Sequence, residues 1–273
     1  MLTAAADTAK PAGLSITLQP LVHSGSDMPF AWRAKLSSNG LAFDALLGGL
    51  APDERQMLDC ARAELAVRAA VAKGILRTES LLLVPVNAAC GNPDVTLGHL
   101  LRSAKAHGLP TARILIEVSA DERGSLEAAE RLAEACALDG LAVALGAFAA
   151  GHVGLNLLSR FKPPFLTLDG ALVRNIECSD SRALIVQGAL RLARSLGTTV
   201  IAPAVETQGA MDTLTRIGVA HFQRGPALRP LPSAAVPRRA PRTMPGGASR
   251  DLLTHRRQPA PGTFATMEMA VQG

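Results

Sequence analysis

The sequence predicts an α/β fold, a (β/α)8 barrel, and three observations support this fold class. Six short apolar runs alternate with helical stretches between residues 80 and 222, and two further strand-like runs precede them. The hydrophobicity of these runs is continuous rather than alternating, as in parallel strands that are covered on both faces. An ordered region of about 220 residues also has the length that eight strand–helix repeats require.

The predicted strands are apolar runs bounded by turn residues. They cover residues 16–22, 30–36, 80–86, 114–118, 141–145, 165–168, 199–202 and 220–222. Four predicted helices start at a proline or capping residue and end near a glycine, at 52–74, 92–108, 180–197 and 207–218. In the helix at 180–197, four apolar residues fall on a single face: Ile185, Ala189, Leu192 and Leu196.

An open, doubly wound sheet is the alternative α/β fold. No GxGxxG motif and no P-loop follows any predicted strand, so a nucleotide-binding fold of that kind has no support in the sequence. The strand count favours the closed barrel.

The composition excludes several classes of protein. Hydrophobic residues make up 48% and charged residues 19% of the 273 residues, as in globular chains. The four cysteines form no CxxC pair, so we expect neither a zinc ribbon nor a disulfide framework, and we expect a cytoplasmic location. Seven Phe, one Trp and no Tyr are too few for a base-stacking surface, and no segment resembles a membrane span.

The positive charge is concentrated near the C-terminus. The formal net charge is +5, but six arginines and two acidic residues place +4 of it within 233–273. Because this segment is rich in proline and poor in large apolar residues, we expect a disordered tail. The predicted organisation is a flexible N-terminus at 1–13, a barrel at 14–232 and the tail at 233–273. The tail either has no partner or contacts an acidic one.

Polar residues follow several predicted strands, at the end of a barrel where functional sites lie. These positions carry Asn87, Glu117, Gly146, Ala147, Asp169, Pro203 and Gln223. The polar ones would converge on one face and line a pocket. Alternatively, Asn87 and Asp169 merely cap the helices that follow them.

Several motifs in order resemble the EAL domain family, whose active members hydrolyse cyclic diguanylate, a bacterial second messenger. LDGALVRNI at 168–176 resembles the family's K-x-D-x-x-x-V element, and VIAPAVET at 200–207 resembles its VIAEGVET. Further similar segments are QPL at 19–21, PVNAA at 85–89, LIEVSADE at 115–122, and Gln223 with Arg229 and Pro230. The resemblance covers about residues 19–230 and implies a TIM-like barrel of the EAL type.

The resemblance implies a two-metal site in which Mg²⁺ or Mn²⁺ ions, held by acidic residues, activate a water molecule. Most of the matching positions carry other residues here. The E-A-L signature falls on Arg33-Ala34-Lys35, D-D-F-G on 146–149, the K-x-D lysine on Thr167, and the glutamate of A-E-G-V-E on Pro203. Of the metal ligands, Asn87 and Glu117 remain. We therefore expect no catalytic residue, no metal and no cofactor.

Charge replacement is the expected consequence of these substitutions. Relative to the family pattern, the substitutions change the net charge of the pocket by about +5, to which Arg33 and Arg224 contribute. The absence of two divalent ions removes four positive charges, so the pocket stays roughly balanced. We expect Arg33 to occupy the position of a metal ion and to pair with Glu117. The alternative is that Arg33 extends into solvent.

The predicted function is that of a catalytically inactive EAL barrel that regulates by binding an unidentified protein. A non-hydrolytic receptor for cyclic diguanylate is the alternative, and an active phosphodiesterase is the third hypothesis. The residues that match the family's ligand groove are Gln19, Asn87, Glu117, Asp169, Glu206, Gln223 and Pro230. No nucleic-acid partner and no membrane span are expected, and a homodimer is left open.

Overall fold

Eight β-strands close into a barrel in the computed structural model of the chain, which confirms the predicted (β/α)8 fold. The structure describes residues 14–26, 28–38, 41–42, 50–87, 91–119, 126–151 and 153–225. The strands are β1 (Leu14–His23), β2 (Pro29–Ser38), β3 (Leu41–Ala42), β4 (Leu81–Val86), β5 (Ile114–Ser119), β6 (Ala142–Phe148), β7 (Phe165–Leu168), β8 (Thr199–Val205) and β9 (His221–Arg224). The short strand β3 extends the barrel wall beside β2.

Helices connect the parallel strands and cover the outside of the barrel. They are α1 (Pro52–Ala72), α2 (Pro93–Ala106), α3 (Leu126–Leu138), α4 (Val153–Leu158), α5 (Gly170–Val173), α6 (Asp180–Leu196) and α7 (Gln208–Ile217). The four predicted helices correspond to α1, α2, α6 and α7. Their ends carry the expected caps: Asn92 accepts a hydrogen bond at the start of α2, and Gly197 takes a left-handed conformation after α6.

Strand β1 runs antiparallel to both of its neighbours, which the sequence did not predict. It pairs with β2 on one side and β9 on the other, and the other neighbouring pairs among the eight strands that close the barrel are parallel. The short β3 is antiparallel to β2. Only five residues separate His23 from Pro29. A parallel connection needs a crossover of about a dozen residues or more, so this turn can only form a hairpin.

The barrel interior is filled by layers of side chains from alternate strand positions. The central layer is apolar and consists of Leu21, Ala31, Leu83, Leu115, Ala144 and Ile201. A larger apolar cluster lies between the outer face of the strands and the helices. Both faces of most strands are therefore buried, which explains their continuous hydrophobicity.

A layer of polar and small residues lies two positions further along each strand, towards the carboxyl ends of the parallel strands. It comprises Gln19, Arg33, Pro85, Glu117, Gly146, Thr167, Pro203 and Gln223. We call this set the mouth layer. It brings together residues from strands that are up to 204 positions apart in the chain.

Helix α6 packs on the barrel through a face that overlaps only in part with the apolar face seen in the sequence. Its buried residues are Val186, Ala189, Leu190 and Ala193. Of the predicted face, Ile185 is 48% exposed and Leu192 is 37% exposed. Ala189 is buried and Leu196 packs partly buried against the core, so half of the predicted face meets the barrel. The rest does not, because α6 carries two adjacent apolar stripes and periodicity alone does not say which stripe meets the barrel.

Some predictions concern parts of the chain that lie outside the described residues. These are the N-terminus at 1–13, the tail at 233–273, and Pro230 of the predicted ligand groove. Among the residues that are described, no helix has the length and apolarity to cross a membrane.

Candidate functional site

An ion pair between Arg33 and Glu117 occupies the mouth layer. Arg33 projects from β2 and Glu117 from β5, and Arg33 Nε donates a hydrogen bond of 2.7 Å to Glu117 Oε2. Glu117 is 2% exposed, whereas the side chain of Arg33 is 29% exposed. The contact between these two residues is the one expected from the sequence. The alternative, an arginine that extends freely into solvent, does not describe this conformation.

A chain of hydrogen bonds continues from Arg33 across the mouth layer. Arg33 Nη1 donates to Gln223 Oε1 over 3.5 Å, and Gln223 Nε2 donates to Gln19 Oε1 over 2.7 Å. These contacts link β1, β2, β5 and β9, including the antiparallel strand. Three predicted groove residues, Gln19, Glu117 and Gln223, are thus brought together by one network.

Glycine at position 146 provides the space that Glu117 fills. A Cβ atom on Gly146 would lie 2.9 Å from Glu117 Cγ and 3.1 Å from its Cδ, closer than side chains normally approach. From the sequence, Gly146 is notable only because it replaces an aspartate of the family pattern. Its contact with Glu117 was missed, because nothing local to β6 signals a neighbour on β5.

Two buried oxygens of the mouth layer have no hydrogen-bond partner among the described residues. They are Glu117 Oε1 and the hydroxyl of Thr167 on β7. Each of these residues is at most 3% exposed. The second carboxylate oxygen of Glu117 therefore contributes a buried, uncompensated acceptor to the site, which is costly for the fold.

The other predicted groove residues that the structure describes lie around the mouth. Asp169 caps α5, where its side chain accepts a hydrogen bond of 3.2 Å from the Ala171 backbone N–H, as the alternative interpretation proposed. Asn87 follows the end of β4 and is half-buried, and Glu206 is exposed after β8. Asn87 is not the cap of α2, a role that Asn92 takes instead.

Arg224 does not join Arg33 in the mouth layer, in contrast to the predicted charge replacement. It follows Gln223 directly and so lies on the other face of β9. Its Nη2 is 3.5 Å from the carbonyl oxygen of Ser26, in the turn between β1 and β2. Strand alternation, applied to β9 alone, would have placed it correctly.

An aromatic cluster closes the opposite end of the barrel. The rings of His23 and His221 meet edge to face at a centroid distance of 4.9 Å, and Phe30 contacts His221 in the same way at 5.1 Å. Phe165 stacks on Phe30. Burial, with a smaller contribution from the neighbouring His23, lowers the pKa of His221 to about 4. His221 is therefore neutral near pH 7.

Comparison with known proteins identifies the class to which this barrel belongs. The EAL domain model matches residues 57–225, so the chain belongs to the EAL domain family. The matched region extends from α1 to the end of β9 and includes most of the mouth layer. The resemblance seen in the sequence motifs is thereby confirmed at the level of the family.

Curated relatives share about half of this chain. The blue light- and temperature-regulated antirepressor BluF of Escherichia coli (strain K12) is 33% identical over 146 residues, which are 53% of this chain and 36% of the relative. The probable cyclic di-GMP phosphodiesterase PdeA of the same organism is 26% identical over 138 residues, 50% of this chain and 19% of the relative. The chain thus spans between a fifth and about a third of the length of these relatives.

Solved structures show the same fold over most of the described residues. A standalone EAL protein from Vibrio cholerae O395, in its c-di-GMP-bound form, is 25% identical and has a TM-score of 0.68, covering 77% of this chain and 89% of that one. BlrP1 of Klebsiella pneumoniae, in a manganese/cy-diGMP complex, is 27% identical and has a TM-score of 0.69, covering 81% of this chain and 57% of that one.

Proposed function

We propose that this protein is a catalytically inactive EAL barrel that regulates by binding another protein. The observation that carries the proposal is the 2.7 Å contact between Arg33 Nε and Glu117 Oε2. In the family pattern, Glu117 is a metal ligand and the position of Arg33 is that of the signature glutamate. Here the two residues neutralise each other inside the mouth layer.

The residues of the mouth layer do not fit a divalent metal ion. A guanidinium about 4 Å from a dication would oppose its binding by about 8 kcal/mol at an effective dielectric constant of 20. Arg33 is held in this region by Glu117 and Gln223, so it cannot leave without breaking both contacts. The metal-dependent step of the family therefore has no support at this site, and we derive none.

The shortage of oxygen ligands points in the same direction. At the positions that match the family's acidic ligands stand Gly146, Ala147 and Pro203, none of which has a side-chain oxygen. Among the described residues, no group of three or more His, Cys, Asp or Glu is arranged to hold a metal ion. Near-octahedral coordination of Mg²⁺ needs more ligands than one paired carboxylate and the amide of Asn87.

The proposal of a protein partner rests on the nature of a relative. BluF is named an antirepressor, and it shares 33% identity with this chain over 146 residues. The apolar surface between α4 and α6, described below, also supports binding of a protein.

The test is an assay of the full chain with Mn²⁺ and cyclic diguanylate, analysed for the linear dinucleotide. We expect no product above background. The matched control is Glu117→Gln, which removes the one carboxylate that remains at the family's metal-ligand positions. Metal-dependent turnover that survives repurification and disappears in Glu117→Gln would overturn the proposal, whereas equal trace turnover in both proteins would identify a contaminant.

Binding of cyclic diguanylate without hydrolysis is the second candidate function. It is favoured by the partial exposure of the Arg33 side chain, which leaves a cation in the mouth layer accessible to a phosphate group. Titration calorimetry with cyclic diguanylate, with and without divalent metal, tests it. Metal-independent binding that Arg33→Ala removes would establish the receptor function, and absence of heat in both titrations would exclude it.

A further inference from the structure

The second apolar stripe of α6 has no cover within the described part of the chain. Ile185 and Leu192 on α6 are about two-fifths to one-half exposed, and Leu155 on the neighbouring helix α4 is 56% exposed. Together they border a groove between the two helices. Its remaining lining comes from Phe148, Ala149, Gly151, Gly188 and Ala189. We call this the α4/α6 groove.

The size of the α4/α6 groove indicates that its occupant is a set of side chains from a protein rather than a small molecule. Its volume is about 210 Å³, and all eight lining residues are apolar or glycine. Pockets for drug-sized ligands are commonly about 300–1,000 Å³ and carry convergent polar groups. An apolar groove bordered by two helices is instead typical of sites that take the apolar stripe of another helix.

Gly188 lines the groove between Ile185 and Leu192 of α6, at a position where the fold itself does not require a glycine. A Cβ atom added there would meet no atom within 4 Å, and its backbone is helical. Glycine in a helix interior weakens the helix relative to alanine. A glycine at this position is explained if the backbone of another helix packs closely against the outer face of α6.

The charge beside the groove indicates the chemistry of the occupant. Helix α6 carries three arginines and one aspartate, a net charge of +2. Arg191 is exposed next to the groove, and no ion-pair partner for its guanidinium exists among the described residues. A second copy of this chain that bound through its own α6 would bring a helix of the same charge to the α4/α6 groove. An acidic occupant would be attracted to it.

We propose that the α4/α6 groove docks an amphipathic helix of another protein that carries acidic residues beside its apolar stripe. The apolar stripe would contact Ile185, Leu192 and Leu155, with its backbone close to Gly188. The acidic residues would meet Arg191. This inference rests on the proposed function, because it names the kind of partner that such a regulatory barrel would bind.

The experiment measures binding of two synthetic helices of about 18 residues to the full chain by fluorescence anisotropy. Both have the same leucine stripe, but one carries glutamates beside it and the other lysines. We expect the glutamate helix to bind at least about tenfold more tightly than the lysine helix, with a preference that weakens as salt is added.

Two variants locate the binding site. Gly188→Trp should fold normally, because the position is open, and should weaken binding of the glutamate helix by about tenfold or more. Leu138→Trp is the matched control, an exposed position on α3 outside the groove, and should leave binding unchanged. Arg191→Glu should reverse the preference between the two helices.

Three results would overturn the proposal. The first is equal binding of the two helices or no binding of either, and the second is equal loss of binding in both tryptophan variants. The third is a dimer in light scattering that Gly188→Trp dissociates, since the occupant would then be a second copy. The hydrolysis assay is independent of all three, so failure of this inference is distinguishable from failure of the proposed function.

Discussion

Gly146 on β6 lies directly against Glu117 on β5, and the absence of a side chain at 146 gives Glu117 room to pair with Arg33. An added Cβ would come within 2.9–3.2 Å of three atoms of the Glu117 side chain. The residue types at these positions are therefore physically coupled. A side chain at 146 would compete with Glu117 for the same space.

We expect Gly146→Ala to destabilise the protein by about 1–3 kcal/mol, because it overpacks a buried site that cannot expand freely. Chemical denaturation measures the change. The control is Gly188→Ala, where nothing lies within 4 Å of the new methyl group and a gain of about 0.5–1 kcal/mol is expected from helix propensity. Equal effects at the two positions would contradict the coupling of Gly146 to Glu117.

The strength of the ion pair can be measured with a double-mutant cycle. Arg33→Ala leaves a buried carboxylate without a partner, and loss of one member of a buried pair typically costs about 3–5 kcal/mol. Because Arg33 is 29% exposed, water can replace it in part, so we expect about 2–3 kcal/mol. The double variant with Glu117→Ala should lose less stability than the sum of the two single variants. Strictly additive losses would show that the two side chains do not interact in solution.

Acid should destabilise the end of the barrel that His221 closes. The pKa of His221 is lowered from 6.5 to about 4 in the fold, so unfolding takes up a proton between these values. Stability should be fully present above pH 6.5 and fall as the pH decreases towards 4, by at most about 3 kcal/mol.

The measurement is denaturation at a series of pH values for the wild type and His221→Phe. The phenylalanine keeps an aromatic ring beside Phe30 but does not titrate, so the slope between pH 6.5 and 4 should become shallower. His107→Gln, at an exposed position, is the control and should keep the wild-type slope. An unchanged slope in His221→Phe would assign the acid sensitivity to other groups.

Backbone strain at the mouth predicts a stabilising substitution. Ala204 on β8 has a φ of 46°, a left-handed conformation that is unfavourable for alanine by about 1–2 kcal/mol. Ala204→Gly should therefore stabilise the protein by about 0.5–1 kcal/mol, after allowance for the greater freedom of glycine in the unfolded chain. Ala202→Gly, at a fully buried strand position, should destabilise it. Thermal melts compare the two, and a loss of stability in both would exclude the strain.

Much of the fold follows from local sequence patterns. The continuous apolar runs of β4 to β9 lie within a few residues of their predicted bounds, because both faces of these strands are buried. The ends of α1, α2, α6 and α7 follow from proline, capping residues and glycine. Helix α3 was not among the predicted helices, and the direction of β1 was missed because hydrophobicity does not record strand polarity.

The site depends more strongly on tertiary packing. Motif matches placed Arg33 and Glu117 at neighbouring positions of a family pattern, but they are 84 residues apart, and only the closed barrel brings Nε within 2.7 Å of the carboxylate. The space at Gly146 and the outward position of Arg224 likewise depend on strand register. Which apolar stripe of α6 meets the barrel also depends on packing. Local patterns specify the periodicity and the ends of single helices and strands. The ion pair, the space at Gly146, the position of Arg224 and the buried face of α6 depend instead on how elements that are far apart in the sequence pack against each other.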